Sequence, residues 1–315
     1  MPSQRITNAV RLEFTPGALV HTNLSGAAFS GDWLWVAGDE ACAIDRLRRL
    51  DPVGSELLRF GEGCSFPLAD LLDLPGAADE EADLEGMAVA DGYLWVVGSH
   101  GLKRKNAEDA RDHASNAKRL AKVTLDRNRR LLARLPIETD ASGAPRLVKE
   151  AGDGRRALRL KGDAESNLLT QALADDRHFG PYMAIPGKDN GFDIEGLAVD
   201  GSRLLLGLRG PVLRGWSALL EIAVEARGDK LRLSTDIGYQ KQRVNHMRNS
   251  VRLGAGLSDI PRAPDADHNY GQDWAWTETE DTFGMARGDY DFNDAVLPIG
   301  ASYFAELVRQ RLAPH

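Results

Sequence analysis

The stretch LEGMAVADGYLWVVG, residues 84–98, decides how this chain is read. One apolar run is followed by Asp91-Gly92 and then by a second apolar run rich in Tyr, Trp and Val. Short β-forming runs split by a Gly-containing turn form an antiparallel hairpin. The same pattern occurs on both sides of it. Residues 24–38 read LSGAAFSGDWLWVAG, and residues 194–208 read IEGLAVDGSRLLLGL. The second copy continues with RLAKVTL and RLLARLP about the turn DRNR, and the third with ALLEIAVE and KLRLST about ARGD. Four strands per copy are predicted. Repeated four-stranded antiparallel sheets are the unit of a β-propeller, and this repeat favours a propeller over a three-layer sandwich of hairpins.

The spacing of the copies is uneven. From Gly26 to Gly86 is 60 residues, and from Gly86 to Gly196 is 110. The longer step predicts an insertion over residues 138–192, with a helix in ESNLLTQALADD. A propeller-like domain then covers residues 1–238. Residues 239–315 form a C-terminal segment of weak strand periodicity. It ends in a short helix, because Phe304, Leu307, Val308 and Leu312 recur at helical spacing.

Composition narrows the class. Of 315 residues, 43% are hydrophobic and 27% charged, ordinary values for a globular protein. A net charge of −8 gives no reason to expect a nucleic-acid partner. The first residues, MPSQRITNAVRLEF, lack the apolar core of a secretory signal, and no run is long enough to cross a bilayer. The expectation is a cytoplasmic protein with no membrane partner. Cys42 and Cys64 lie outside any CxxC spacing and are expected to be two buried thiols. Trp33, Trp35 and Trp95 fall in apolar strand runs and are expected in the core, while Trp274 and Trp276 precede an acidic tail.

Two acidic constellations carry chemistry. Asp83 and Glu85 open the second copy, and Asp193 and Glu195 open the third. In a hairpin the start of the first strand lies beside the end of the second. Glu85 should therefore lie near Ser99 and His100, Glu195 near Arg209, and Asp39 and Glu40 at the same end of the first copy. Such a mouth, with Asp189 and Asn190 and the basic loop LKRKNAEDARDHASNAKRLAK beside it, could hold Ca²⁺ or Mg²⁺ and an anionic small molecule. In a hydrolase of phosphate esters or lactones, Asp83, Glu85, Asp193 and Glu195 would ligate the metal. His100 would transfer protons, and Arg209 and Arg214 would bind the anion. The other reading is a binding protein in which these acids hold backbone N–H groups, and it takes precedence because no GxSxG, P-loop or HExxH motif is present.

The second constellation is GDYDFNDAV, residues 288–296. Asp289, Asp291, Asn293 and Asp294 offer the alternating oxygen ligands that Ca²⁺ favours. The run is not an EF-hand, since Asp294 and Gly300 stand where that loop needs Gly and Glu. Glu280 or Asp281 would supply the missing carboxylate. A structural Ca²⁺ site is expected here.

Residues 24–222 resemble a bacterial family known as domain of unknown function 3616. The stretches LSGAAFSGDWLWVAGDE, LEGMAVADGYLWVVGSHGLKRKN, IPGKDNGFDIEGLAV and RLLLGLRGPVLRGWSALLEI carry the likeness. It implies a propeller-like fold and brings no reaction with it. The Glu280-Asp281 pair and the run Asp289–Asp294 look like the calcium-associated motif of LruC-type domains and of domain of unknown function 4114.

Overall fold

The computed structural model describes residues 10–51, 58–214, 216–234 and 237–243. These are mainly β and form three successive sheets. The first sheet holds β1 (Val10–Leu12), β2 (Leu24–Ser30), β3 (Trp33–Gly38), β4 (Ala43–Leu50) and β5 (Leu58–Pro67) in the order β1-β5-β4-β3-β2. A short helix, α1 (Leu68–Leu71), leads to β6 (Leu84–Ala90) and β7 (Tyr93–Gly98). A ribbon of β8 (Lys103–Arg104) and β9 (Val123–Thr124) follows, with α2 (His113–Leu120) between them. The second sheet is completed by β10 (Leu132–Thr139), flanked by β11 (Pro145–Leu147) and β12 (Leu158–Arg159). After α3 (Leu168–Ala174) come β13 (Asp193–Asp200), β14 (Arg203–Gly210), β15 (Trp216–Arg227), β16 (Lys230–Leu233) and β17 (Gly238–Arg243) of the third sheet.

The three hairpins read from the sequence are β2-β3, β6-β7 and β13-β14, and all are antiparallel. Their first strands lie side by side in chain order, β6 between β2 and β13. Small residues set that spacing. A Cβ added at Gly26 would stand 3.0 Å from Met87 Cγ, and one at Gly86 would stand 2.8 Å from the Leu197 backbone nitrogen. An apolar side chain of each next strand thus sits against a glycine of the one before. Burial explains why YLWVVG is an unbroken apolar run. Tyr93, Trp95 and Val97 pack with Ile194, Leu204 and Leu206 of the third sheet. Leu94 and Val96 pack with Trp35 and Ile44 of the first. A strand covered on both faces loses the polar alternation of a half-exposed one. Each such Leu or Ile contributes roughly 2 kcal/mol through burial.

Several local readings are corrected. The stretch RLAKVTL, expected as a strand, holds the last two residues of α2 and its cap Ala121, and is a strand only over the two-residue β9. The Asp112 carboxylate accepts from the Ser115 N–H and starts that helix inside what looked like a polar loop. The expected turn DRNR is a 3₁₀ turn, Arg127–Arg130, and the strand pairing with β7 is β10. Between residues 138 and 192 the chain first adds β11 and β12 to the second sheet. It then forms α3, where Asn167 and Thr170 make a reciprocal cap. Both cysteines are free; Cys42 is half-buried and Cys64 is exposed, not buried as expected. Trp35 and Trp95 are core residues, while Trp33 is half-buried beneath the Arg46 guanidinium, 4.5 Å from its ring centroid. No described helix is long and apolar enough to cross a membrane.

Candidate functional site

The ends of the three hairpins bring together equivalent positions. In register, Leu24 faces Gly38, Leu84 faces Gly98 and Ile194 faces Leu208. The residues around those pairs are Asn23, Ser25 and Asp39 in the first sheet. They are Asp83, Glu85 and Ser99 in the second, and Asp193, Glu195 and Arg209 in the third. A register shift follows each pair, at Leu24/Gly26, Leu84/Gly86 and Ile194/Gly196.

The acids are buried to different degrees and neutralised to different degrees. Asp83, Glu85 and Asp193 are 4%, 9% and 2% exposed, and Asp39 is half-buried. Arg209 lies 2.8 Å from Glu195 and also pairs with Asp193 Oδ2, whose other oxygen makes no hydrogen bond among the described residues. Asp83 Oδ1 is 2.9 Å from Arg129, which the 3₁₀ turn supplies. Glu85 has neither hydrogen bond nor ion pair among the described residues; its charged surroundings are Glu195, Asp39 and Asp83, with Arg209 the opposing group. One ligand oxygen from each of Asp39, Asp83 and Glu85 falls within 4.8 Å of the others.

The electrostatics follow from that crowding. Burial, reinforced by Glu195, Asp39 and Asp83, pushes the Glu85 carboxyl well above the ordinary range. Asp39 is pushed up to about 6, first by burial and then by Asp83. Asp193 is also raised by burial, against the pull of Arg209.

His100 belongs to the scaffold around these groups. It is 2% exposed, sits at a φ of +59°, and holds Gly98 O through Nδ1 at 2.8 Å and the Asn167 amide through Nε2 at 2.9 Å. Nδ1 donates, so Nε2 accepts and the ring is neutral. Burial and the nearby Arg130 pull its pKa down to about 4. The backbone around it braces the site: the Ser99 N–H donates to Asp83 O, the His100 N–H to Arg129 O, and the Ile194 N–H to Ser99 O.

The structure places Asp39, Asp83, Glu85, Asp193, Glu195 and Arg209 together. Arg214 is exposed and stands outside that buried group. Asn190 adopts a left-handed backbone and accepts from the Val212 N–H, so it shapes the loop before β13. Asp189 pairs with Arg104. Arg129 was not singled out from the sequence; its neighbour Asp126, which accepts its backbone N–H, was read as a hairpin turn residue. Asp289, Asp291, Asn293, Asp294, Glu280 and Asp281 lie outside the described residues, as do Trp274 and Trp276 and the expected terminal helix.

A family model described as "Protein of unknown function (DUF3616)" matches residues 23–263. The chain belongs to the DUF3616 family. The match contains all three hairpins and every residue of the carboxylate cluster. Among curated proteins, 68 residues are 50% identical to the ferrichrome receptor FcuA of Yersinia enterocolitica, which is 22% of this chain. The chain spans only 9% of that receptor's length. Among solved structures, the pyrroloquinoline-quinone-bound aldose sugar dehydrogenase of Streptomyces coelicolor is 13% identical, over 72% of this DUF3616 chain and 48% of that one, with a TM-score of 0.22. A Thermus thermophilus protein described as a "putative oxidoreductase (glucose dehydrogenase)" is 13% identical, over 71% and 85%, with a TM-score of 0.21. Superpositions this loose carry neither fold nor activity to this DUF3616 chain.

Proposed function

We propose that this DUF3616 chain is a binding protein built round a divalent-cation centre, with Asp39, Asp83 and Glu85 as its ligands. The observation that supports this most is Glu85: a nine-tenths buried carboxylate, unpartnered among the described residues, facing two further carboxylates. Burying like charges together is costly unless a proton or a cation joins them. Three hard oxygen donors suit Ca²⁺, with Mg²⁺ the smaller alternative, and no sulfur or imidazole ligand is among them. Bound there, the cation would tie the first sheet to the second through charge.

The three sheets are, in this reading, consecutive blades of a propeller. The recurring contact of Met87 on Gly26 and Leu197 on Gly86 supports it. The tail run at Asp289–Asp294 is a second proposed Ca²⁺ site, supported by its sequence alone. The hydrolase reading ranks below the binding one. Its proton-transfer residue, His100, has both ring nitrogens held, and Arg214 is exposed apart from the buried group.

Calorimetric titration of the full chain with Ca²⁺ and Mg²⁺ tests the proposal. The variant Asp289→Asn/Asp291→Asn should retain one site, and adding Glu85→Gln should abolish it. Retention of that last site after Glu85→Gln would overturn the assignment.

A further inference from the structure

The ribbon of β8 and β9, with α2 between them, is a basic arm on an acidic chain. Residues 102–125 hold seven Lys or Arg against three Asp or Glu, whereas the whole chain has a net charge of −8. Four of these cations are paired. Lys103 with Glu81 and Asp126, and Arg104 with Asp189, anchor the ribbon to the body, while Arg111 and Arg119 pair with Glu108 inside the arm. The other three, Lys105, Lys118 and Lys122, are exposed and have no ion pair among the described residues. Leu120 and Val123, where α2 gives way to β9, are 44% and 40% exposed. An exposed apolar pair interleaved with unpaired lysines fits an acidic partner that also carries apolar groups.

We infer that this arm docks the acidic, aromatic stretch 265–294 of the same chain. That stretch holds nine Asp or Glu against one basic residue, Arg287, and six aromatic residues, Trp274 and Trp276 among them. Blocks of one charge sign act as interaction segments, and the block of opposite sign is the arm. Topology brings the two within reach. β15 starts at Trp216, at the end of the third sheet where Asp193 faces Gly210, and β17 runs back to it with Arg243 opposite Trp216. The chain therefore leaves β17 at the end of the sheet where Asp189 holds Arg104 and Asn190 accepts from the Val212 N–H. Residues 244–264 separate Arg243 from Asp265. A chain of that length spans about 25 Å as a random coil. A nucleic acid fits the arm less well, because residues 102–125 offer no Phe, Tyr or Trp for bases to stack on. A bilayer also fits less well, since Leu120 and Val123 are the arm's two exposed large apolar side chains. The inference does not depend on the cation reading above.

Carbodiimide coupling provides the test, since the reagent joins a lysine amine to a carboxyl only where the two touch. An equal mixture of ¹⁴N- and ¹⁵N-labelled full chain, freed of metal and kept at low salt, is coupled, and the joined peptides are identified by mass spectrometry. The expected result is Lys105, Lys118 or Lys122 joined to carboxyls of residues 265–294 in single-isotope pairs, about fivefold more often than the exposed Lys149 and Lys161. The yield should fall about fivefold at high salt, which screens exposed charges. In Lys118→Glu/Lys122→Glu the bridge from Lys105, which both substitutions leave in place, should fall to the level of Lys149. No bridge between the arm and the stretch, equal bridging of Lys149 and Lys161, or a Lys105 bridge unchanged in the variant would each overturn the inference. Mixed-isotope pairs would give the arm to a second copy of the chain and overturn docking within one chain.

Discussion

The second and third repeats open alike, Asp83-Leu84-Glu85-Gly86 and Asp193-Ile194-Glu195-Gly196, and end differently. The third closes its hairpin with Arg209, which reaches both of its acids. The second closes with Ser99, and its arginine arrives from a separate turn, where it pairs with Asp83, Asp126 and Glu81 but not with Glu85. One position across the strand thus decides whether a strand-opening glutamate is paired within its own sheet or left without an ion pair among the described residues. The same peptide pattern is a structural ion pair in one sheet and a candidate binding site in the next.

The largest effect should come from making the third repeat resemble the second. Arg209→Met leaves Asp193 and Glu195 buried without their guanidinium, which should cost about 3–5 kcal/mol in denaturant unfolding. Much of that loss should be recovered by millimolar Ca²⁺. Unchanged stability would break the comparison.

The pH dependence of the bracket between the repeats comes next. His100 has a folded pKa of about 4. An unfolded histidine titrates near 6.5, so between these values the unfolded chain binds the extra proton. The stability tied to the neutral ring is complete above about pH 6.5. It falls as the solution is acidified, by on the order of 3 kcal/mol on reaching pH 4. Urea unfolding of wild type and His100→Gln over this range checks it, because the variant should lose that part of the slope. Equal slopes would show that the ring does not hold the bracket in its neutral form.

The smallest effects concern how the repeats stack. Gly86→Ala drives a Cβ onto the Leu197 backbone and should cost about 1–3 kcal/mol. Gly26→Ala meets the Met87 thioether chain most closely, which adjusts, with the Leu84 carbonyl oxygen farther off at 3.3 Å, and should cost less than Gly86→Ala, about 1 kcal/mol. The order of the two melting temperatures reads this directly.

Much of this was legible in the sequence, for reasons that can be named. The hairpins were, because turn residues flank apolar runs, and hairpin geometry alone put Glu195 beside Arg209. What escaped depends on partners far along the chain. His100 looks like a strand-end base until Asn167, 67 residues away, is seen at its Nε2. Arg129 was lost inside a turn because a 3₁₀ segment and a hairpin turn share polar composition. RLAKVTL has strand-like alternation, and the Asp112 cap upstream decides for helix over its first residues. Asp39 could be placed at the correct end. That it joins the second sheet's acids depends on how the sheets pack.

The measurement that tests the central claim most directly is the cation stoichiometry of the Asp289→Asn/Asp291→Asn protein before and after Glu85→Gln, by calorimetry. The account predicts one divalent cation before the change and none after it, with the metal-free Glu85→Gln protein more stable than its parent because a buried, unpaired carboxylate is gone. One cation bound in both proteins, or none in either, would contradict it.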